Sequence, residues 1–293
     1  MNDSAERSEF GAFLKACRAR LRPEEVGLPE ASGHRRVAGL RREEAAALAA
    51  ISVDYYTRLE QGRVPPSRGV LGVLARALRM DEDQRAYLYE VAHAVDAAPR
   101  RRRARQPVRP ALRRLLEQLT CTPALVLGRR LDVLDWNPAA AALFTDFSVI
   151  PPSQRNYLRM LFLHPGVRDM HRDWHHDARD AVAALRMEAA AEPEDPELAS
   201  LVGELSLRDA DFRTWWAERH VSSASYGTKH YRHPVVGELT LDCDTWSSPD
   251  GSGQRLMVLT AESGSPSNDA LRILASWSEP ARAESTAGEG RGR

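Results

Sequence analysis

Gly39-Leu-Arg-Arg-Glu-Glu-Ala-Ala-Ala-Leu-Ala-Ala-Ile-Ser-Val-Asp-Tyr-Tyr-Thr-Arg-Leu-Glu-Gln-Gly-Arg63 is the stretch whose reading decides the fold. Arg41 to Ala50 is rich in Ala, Glu and Leu and favours helix. Ser52 is placed to cap a second helix through Glu60, and Gly62 stands just beyond as its stop. Two helices joined by so short a turn cross steeply and cannot lie antiparallel. Ala46 and Ala49 permit close approach at the crossing. Ile51, Tyr56 and Leu59 form the apolar side of the second helix, which leaves Val53, Asp54, Tyr55 and Arg58 facing outward. A single exposed helix fits the DNA major groove, where residues of its first turn meet base edges.

Working outward, the rest of residues 1–96 also reads as helix. Phe10, Phe13, Leu14, Cys17 and Leu21 recur at helical spacing in a first amphipathic helix. Pro65-Pro66-Ser67 introduces a fourth helix with Val70, Leu71, Leu74 and Leu78 on one face. Asp81 caps a fifth, with Tyr87, Leu88 and Val91 turned inward. An all-α five-helix domain follows. Residues 97–110 read as a basic Pro/Arg linker, because Arg100, Arg101, Arg102, Arg103 and Arg105 repel one another between Pro99, Pro107 and Pro110. That run either grips DNA or stays solvated. Residues 111–277 mix types: a strand over Arg130 to Trp136, a helix opened by Asn137-Pro138, helices from Tyr157 to Glu218, then strands at Tyr226–His233, Glu238–Trp246 and Arg255–Glu262. A helix over Ser267–Trp277 closes this α+β domain with its antiparallel sheet. Residues 278–293 are rich in Gly, Ser, Ala and charge and read as a disordered tail.

The net charge of zero over 293 residues hides an asymmetry. Residues 1–118 carry 23 Lys/Arg against 16 Asp/Glu (+7), leaving 18 against 25 (−7) in the remainder. The basic half suits a polyanionic partner. Hydrophobic residues at 43% and charged residues at 28% are ordinary for a globular protein. No apolar run approaches the length of a membrane span, and the polar, acidic start lacks the features of a signal peptide. Cys17, Cys121 and Cys243 are widely spaced without a C-x-x-C, which fits a reducing cytoplasm. The expected setting is cytoplasmic, at the nucleoid, with no membrane partner.

The 39–63 stretch resembles the helix-turn-helix of XRE/Cro-family repressors, whose fold is lambda-repressor-like. The Tyr55-Tyr-Thr-Arg-Leu-Glu-Gln-Gly-Arg63 string carries the resemblance. It implies phosphate contacts from Arg42 and Arg63 and base contacts from Val53, Asp54 and Arg58. Arginine can donate twice to guanine O6 and N7, so Arg58 is the strongest base reader. Asp54 either accepts from a cytosine amine or serves as a first-turn carboxylate. Tyr55 stacks or touches a phosphate, and Ser52 sits at the groove-facing helix start. A carboxylate repels phosphate, so Glu60 is expected to pair with Arg20. The insertion Arg22–Val37 departs from the compact repressor pattern, and its Arg35 and Arg36 either add phosphate contacts or lie in a solvated loop.

No nucleophile elbow, dinucleotide fingerprint, Walker A or zincin motif occurs, so no catalytic residue and no enzyme activity is expected. The metal candidate is His171-x-x-x-His175 with His176 and Asp180. It reads as solvated helix surface rather than a metal site, because no third ligand of clear spacing follows. No cofactor is expected.

Leu134-Asp-Trp-Asn-Pro-Ala-Ala-Ala-Ala-Leu143, Trp215-Trp-Ala-Glu-Arg-His220 and Gly227-Thr-Lys-His-Tyr-Arg-His-Pro-Val-Val-Gly-Glu-Leu-Thr-Leu241 resemble the ligand-binding domain of MmyB-like transcription regulators. That resemblance implies a PAS-like domain following a helix-turn-helix, and a fatty-acid-type ligand. Trp136, Leu143, Trp215 and Trp216 are then the wall candidates, with Arg219 and His220 for the carboxylate. The resulting expectation is a ligand-responsive regulator that binds double-stranded DNA as a homodimer. The alternative is a regulator whose C-terminal domain is a protein-interaction module without a small-molecule ligand.

Overall fold

The computed structural model describes residues 2–28, 37–94, 107–190, 195–222, 226–248, 250 and 252–278. Arg35, Arg36, the Arg100–Arg105 run and residues 279–293 lie outside the described residues. The chain forms two compact units that do not follow sequence order. One spans residues 1–102 with 186–204 and 213–223; the other spans 103–185, 205–212 and 224–293. Among the described residues, no helix is long and apolar enough to cross a membrane.

The first unit opens with the five expected helices: α1 (Asn2–Arg20), α2 (Arg42–Leu48), α3 (Val53–Glu60), α4 (Arg68–Ala77) and α5 (Glu82–Ala94). Their starts follow the sequence signals. The Ser52 hydroxyl accepts from Tyr55 N at 3.2 Å, and Ser67 accepts from Val70 N at 3.4 Å. Asp81 and Gln84 form a reciprocal capping box, each accepting the other's backbone N–H. Their ends share one device. After α3, Gly62 takes φ +64°, Gly62 N donates to Leu59 O and Arg63 N to Arg58 O, a Schellman motif. Ala50 (φ +51°) does the same after α2, and Arg79 (φ +47°) after α4, without the glycine that makes this conformation easy.

Phe10, Phe13, Leu14 and Cys17 of α1 are buried against Tyr56, Leu59, Leu74, Tyr87 and Leu88, and the Phe13 and Tyr87 rings lie 4.7 Å apart. Ala190 and Val221, from the two later segments of the unit, belong to the same apolar core.

The second unit contains α6 (Pro110–Gln118), β1 (Ala124–Leu127), β2 (Val133–Trp136), α7 (Pro138–Leu143), α8 (Tyr157–Leu163) and α9 (Pro165–Met170). Three helices follow: α10 (Trp174–Ala189), α11 (Pro196–Arg208) and α12 (Ala210–Glu218), each divided between the units. Then come β3 (Tyr226–His233), β4 (Gly237–Ser247), β5 (Arg255–Thr260) and α13 (Pro266–Ser278). The strands form one antiparallel sheet in the order β2-β1-β5-β4-β3, confirming the α+β class. The expected first strand, over 130–136, is shorter and preceded by an unanticipated one. β1 is Ala-Leu-Val-Leu with every residue buried, so it lacks the alternation that marks a half-exposed strand.

β1 is covered on both faces. On one, Ala124, Val126 and Val258 pack with Val108 and Leu116 of the α6 region. The strand register puts Trp136, Leu125 and Met257 together on the other face. Asn137, the expected cap of α7, does more than cap. Its Oδ1 accepts from Ala140 N and Ala124 N, and its Nδ2 donates to Leu119 O and Thr122 O. All four hydrogen-bonding positions of this buried amide are filled, which pins the helix start to the β1 edge.

Candidate DNA interface and ligand-sensing residues

Ile51 N closes the α2 turn on Ala46 O at 3.0 Å, and α3 begins immediately after it. Tyr56 and Leu59 are fully buried, so the opposite side of α3 faces out as expected. Ser52, Val53, Asp54 and Arg58 are exposed, Tyr55 is half-buried and Arg63 is exposed beyond the helix. The structure thus brings Ser52, Val53, Asp54, Tyr55 and Arg58 onto one helix, with Arg63 just past its end. Arg58 and Asp54 form an i,i+4 ion pair at 2.7 Å. Such an exposed pair is worth only about 0.3–0.5 kcal/mol, so a base edge can displace it.

Glu60 departs from its expected pairing. Its partners are Arg18 (Nε to Oε1, 2.6 Å) and Arg42 (Nε to Oε2, 2.7 Å), not Arg20. Arg18 lies on the buried side of α1, whereas Arg20, two residues on, is exposed and donates to the Glu218 carbonyl. Arg18 also reaches Leu40 O at 2.5 Å, joining α1, the α2 approach and α3 through one side chain. Burial and the Glu60 charge push the Tyr56 phenol above its ordinary pKa, so it stays neutral beneath the helix. Sequence reasoning missed that Arg42 is positioned by Glu60. Its side chain remains 44% exposed, with Nε committed to Glu60.

The six expected ligand residues are divided between the units. Trp136 and Leu143 belong to the second; Trp215, Trp216, Arg219 and His220 belong to the first. Trp136 lies beside Phe147 (5.2 Å between centroids) and under the Arg155 guanidinium, and Leu143 is fully buried. Trp136 also borders a 260 Å³ cavity with Arg113, Leu116, Glu117, Asp135, Asn137 and Pro138. In the first unit, Arg186 lies 3.9 Å over the Trp216 ring and donates to the Trp216 carbonyl. Arg219, expected to meet a ligand carboxylate, instead meets the carboxylate of Glu9 at 3.2 Å. Glu9 also accepts from Arg186 at 3.0 Å and from the Tyr87 hydroxyl at 2.9 Å.

The expected histidine surface is also redistributed. His175 and His176 are exposed on α10, but His171 precedes that helix and is buried. It bridges backbone to Tyr231, and its Nδ1 lies 2.8 Å from Asp177 Oδ2. The i,i+4 reading failed because α10 starts only at Trp174, after a break at His171 that sets the imidazole inward.

Two comparisons bear on identity. The family profile of the MmyB-like transcription regulator ligand binding domain matches residues 108–274, and a helix-turn-helix domain profile matches residues 9–88. No curated protein matches the chain. The first match covers more than half of the chain, and the second contains the α2–turn–α3 pair and its exposed side chains. The chain therefore belongs to the MmyB-like transcription regulators, and is a DNA-binding regulator with a helix-turn-helix domain ahead of a ligand-binding domain.

Proposed function

We propose that the protein is a one-component regulator whose helix α3 reads an operator and whose DNA affinity changes when an apolar, carboxyl-bearing ligand of the fatty-acid type binds the C-terminal domain. In this reading, residues 1–96 bind DNA, residues 97–110 tether the domains at the chromosome, and residues 111–277 sense the ligand. The observation that carries the DNA half is the Ser52-capped start of α3, with Val53, Asp54 and Arg58 exposed and Arg42 held on Glu60 at the end of that helix. One helix reads only a few base pairs, so the regulator acts as a homodimer on an inverted repeat, with half-sites about one helical turn apart.

The ligand half is supported by the match of residues 108–274 to a ligand-binding domain and by the 260 Å³ cavity that Trp136 borders. Burial of an alkyl chain is worth about 0.8 kcal/mol per methylene. The test is to select an operator from random DNA, footprint it, and measure operator affinity while titrating saturated fatty acids of increasing length. Two protected half-sites and a chain-length-dependent change in affinity are expected. A single half-site bound 1:1 would overturn the dimer. Affinity unmoved by any acid would overturn the ligand and favour a protein-interaction role for the C-terminal domain.

A further inference from the structure

We propose that His171 Nε2 is the anchor for the carboxyl group of a ligand bound in the second unit, with Asp177 and Lys229 positioning the imidazole. The inference rests on the ligand reading above and adds the polar contact that reading lacks.

The His171 side chain is almost wholly buried, and its Nδ1 lies 2.8 Å from Asp177 Oδ2. The other Asp177 oxygen accepts from Lys229 Nζ at 2.6 Å. Burial raises the Asp177 carboxyl, but hydrogen bonds from His171 and Lys229, with their charges, outweigh it and hold the group below its ordinary range. Asp177 is therefore an anion that accepts the Nδ1–H and holds the imidazole in one orientation. Nε2 is buried and has no hydrogen-bond partner among the described residues. An unpaired buried polar atom of this kind is costly, and it calls for an explanation.

The surroundings indicate where a partner would come from. The His171 ring lies edge-on to Tyr231 at 4.7 Å, and Phe144 flanks the same tyrosine at 6.1 Å. Burial, then the neighbouring Tyr157, Cys243 and Asp177, pushes the Tyr231 phenol well up; burial raises the Cys243 thiol to about 11. These groups form one neutral, poorly hydrated cluster around the Asp177 anion. Tyr157 and Cys243 each keep part of their surface exposed. Register places Lys229 opposite Leu241 and Tyr231 opposite Leu239, so apolar side chains border the polar cluster.

Charge selects the ligand class. Lys229 Nζ lies 2.6 Å from Asp177 and 3.9 Å from Asp180, so the site already holds two carboxylates against one ammonium. A carboxylic acid that brings its own proton enters without adding net charge. Its O–H proton passes to Nε2, leaving an imidazolium between two carboxylates: that of Asp177 and that of the ligand. The resulting hydrogen bond is charge-assisted, roughly twice as strong as the neutral one an alcohol would make. A methyl ester brings no proton and leaves Nε2 unpaired.

Dodecanoic acid and its methyl ester are the probes, titrated against the full-length protein and against His171→Asn and His171→Gln. Asn places its amide where Nδ1 was and keeps the Asp177 bond but has nothing at Nε2; Gln reaches the Nε2 position. The wild type should bind the acid at least about tenfold tighter than the ester. Asn should erase that preference and leave ester binding unchanged, and Gln should restore part of it. In ¹⁵N-His-labelled wild type, the His171 Nε2 resonance should move with the acid and not with the ester, a readout independent of whether a variant folds. Acid that binds wild type and His171→Asn equally, or that leaves the resonance still, overturns the anchor while the ligand reading stands. If neither probe binds wild type, the ligand reading falls and the anchor with it.

Discussion

Gly11 of α1 lies directly against the carbonyl of Glu60 at the end of α3: a Cβ at residue 11 would stand 2.2 Å from that oxygen. The obstacle is backbone, so it cannot swing aside as a side chain would. Two effects of Gly11→Ala oppose each other. Helix propensity favours alanine by about 0.8–1.0 kcal/mol. Forcing α1 away from α3 costs about 1–3 kcal/mol and also shifts the Glu60 carboxylate from Arg18 and Arg42. The steric term should win. Gly11→Ala is expected to lower the Tm of the first unit by several degrees and to weaken DNA binding on all sequences. A raised Tm would show that the helices separate without strain.

Arg58 and Arg42 should fail differently. Arg58 sits on the outward side of α3 and pairs with the exposed Asp54. Its replacement by Ala should cost about 1–3 kcal/mol on the operator, relax the preference at one base pair, and leave random DNA nearly unaffected. Arg42→Ala should weaken operator and random DNA alike and reduce the salt dependence by about one counterion. Arg18 still pairs with Glu60 in that variant, so the fold should survive. Equal losses on both DNAs for Arg58→Ala would remove it from base reading.

The turn offers a gain. Ala50 holds φ +51° in the Schellman motif that closes α2, the conformation that Gly62 adopts after α3. A left-handed non-glycine residue costs about 1–2 kcal/mol. Ala50→Gly should therefore raise the stability of the first unit by about 1 kcal/mol, partly offset by greater freedom of the unfolded chain. Chemical denaturation would measure it. A loss of stability would mean that the Ala50 methyl makes a contact worth more than the strain.

The legible parts of this protein are those carried by local chemistry. Ser52, Asp81 and Asn137 announce helix starts because a short polar side chain can satisfy orphan N–H groups only there. The outward set on α3 followed from its 3.6-residue period. What the sequence hid is non-local. Nothing near Glu60 distinguishes Arg18 from Arg20 as its partner, since the choice depends on the roll of α1 against α3. Likewise, β1 is uniformly apolar because α6 covers its outer face, a fact of packing with no local period. His171, Asp177 and Lys229 come from a loop, a helix and a strand, and the sequence gives no spacing that links them. Arg219 fits the charge of a ligand carboxylate but meets the Glu9 carboxylate instead, since charge type alone does not choose between them.

His233 supplies a pH dependence whose sign is fixed by its hydrogen bonds. Its Nδ1 accepts from Val235 N at 3.2 Å and from Val236 N at 3.4 Å, closing the turn between β3 and β4. The Nε2–H then donates to Ala142 O at 3.2 Å, tying that turn to the end of α7. The folded protein therefore holds a neutral imidazole, and burial lowers its pKa below the ordinary 6.5, with the Ala142 carbonyl opposing only in part. Below pH 6.5 the unfolded chain takes up a proton that the folded one resists, so stability falls as pH drops through that value and stops falling below the folded pKa. Protonating Nδ1 also removes the acceptor for two turn amides. The second unit should unfold at lower denaturant concentration at pH 5 than at pH 7. His233→Asn, which keeps an acceptor near Nδ1 and cannot titrate, should flatten that part of the profile. A profile equally steep in His233→Asn would assign the dependence to other groups.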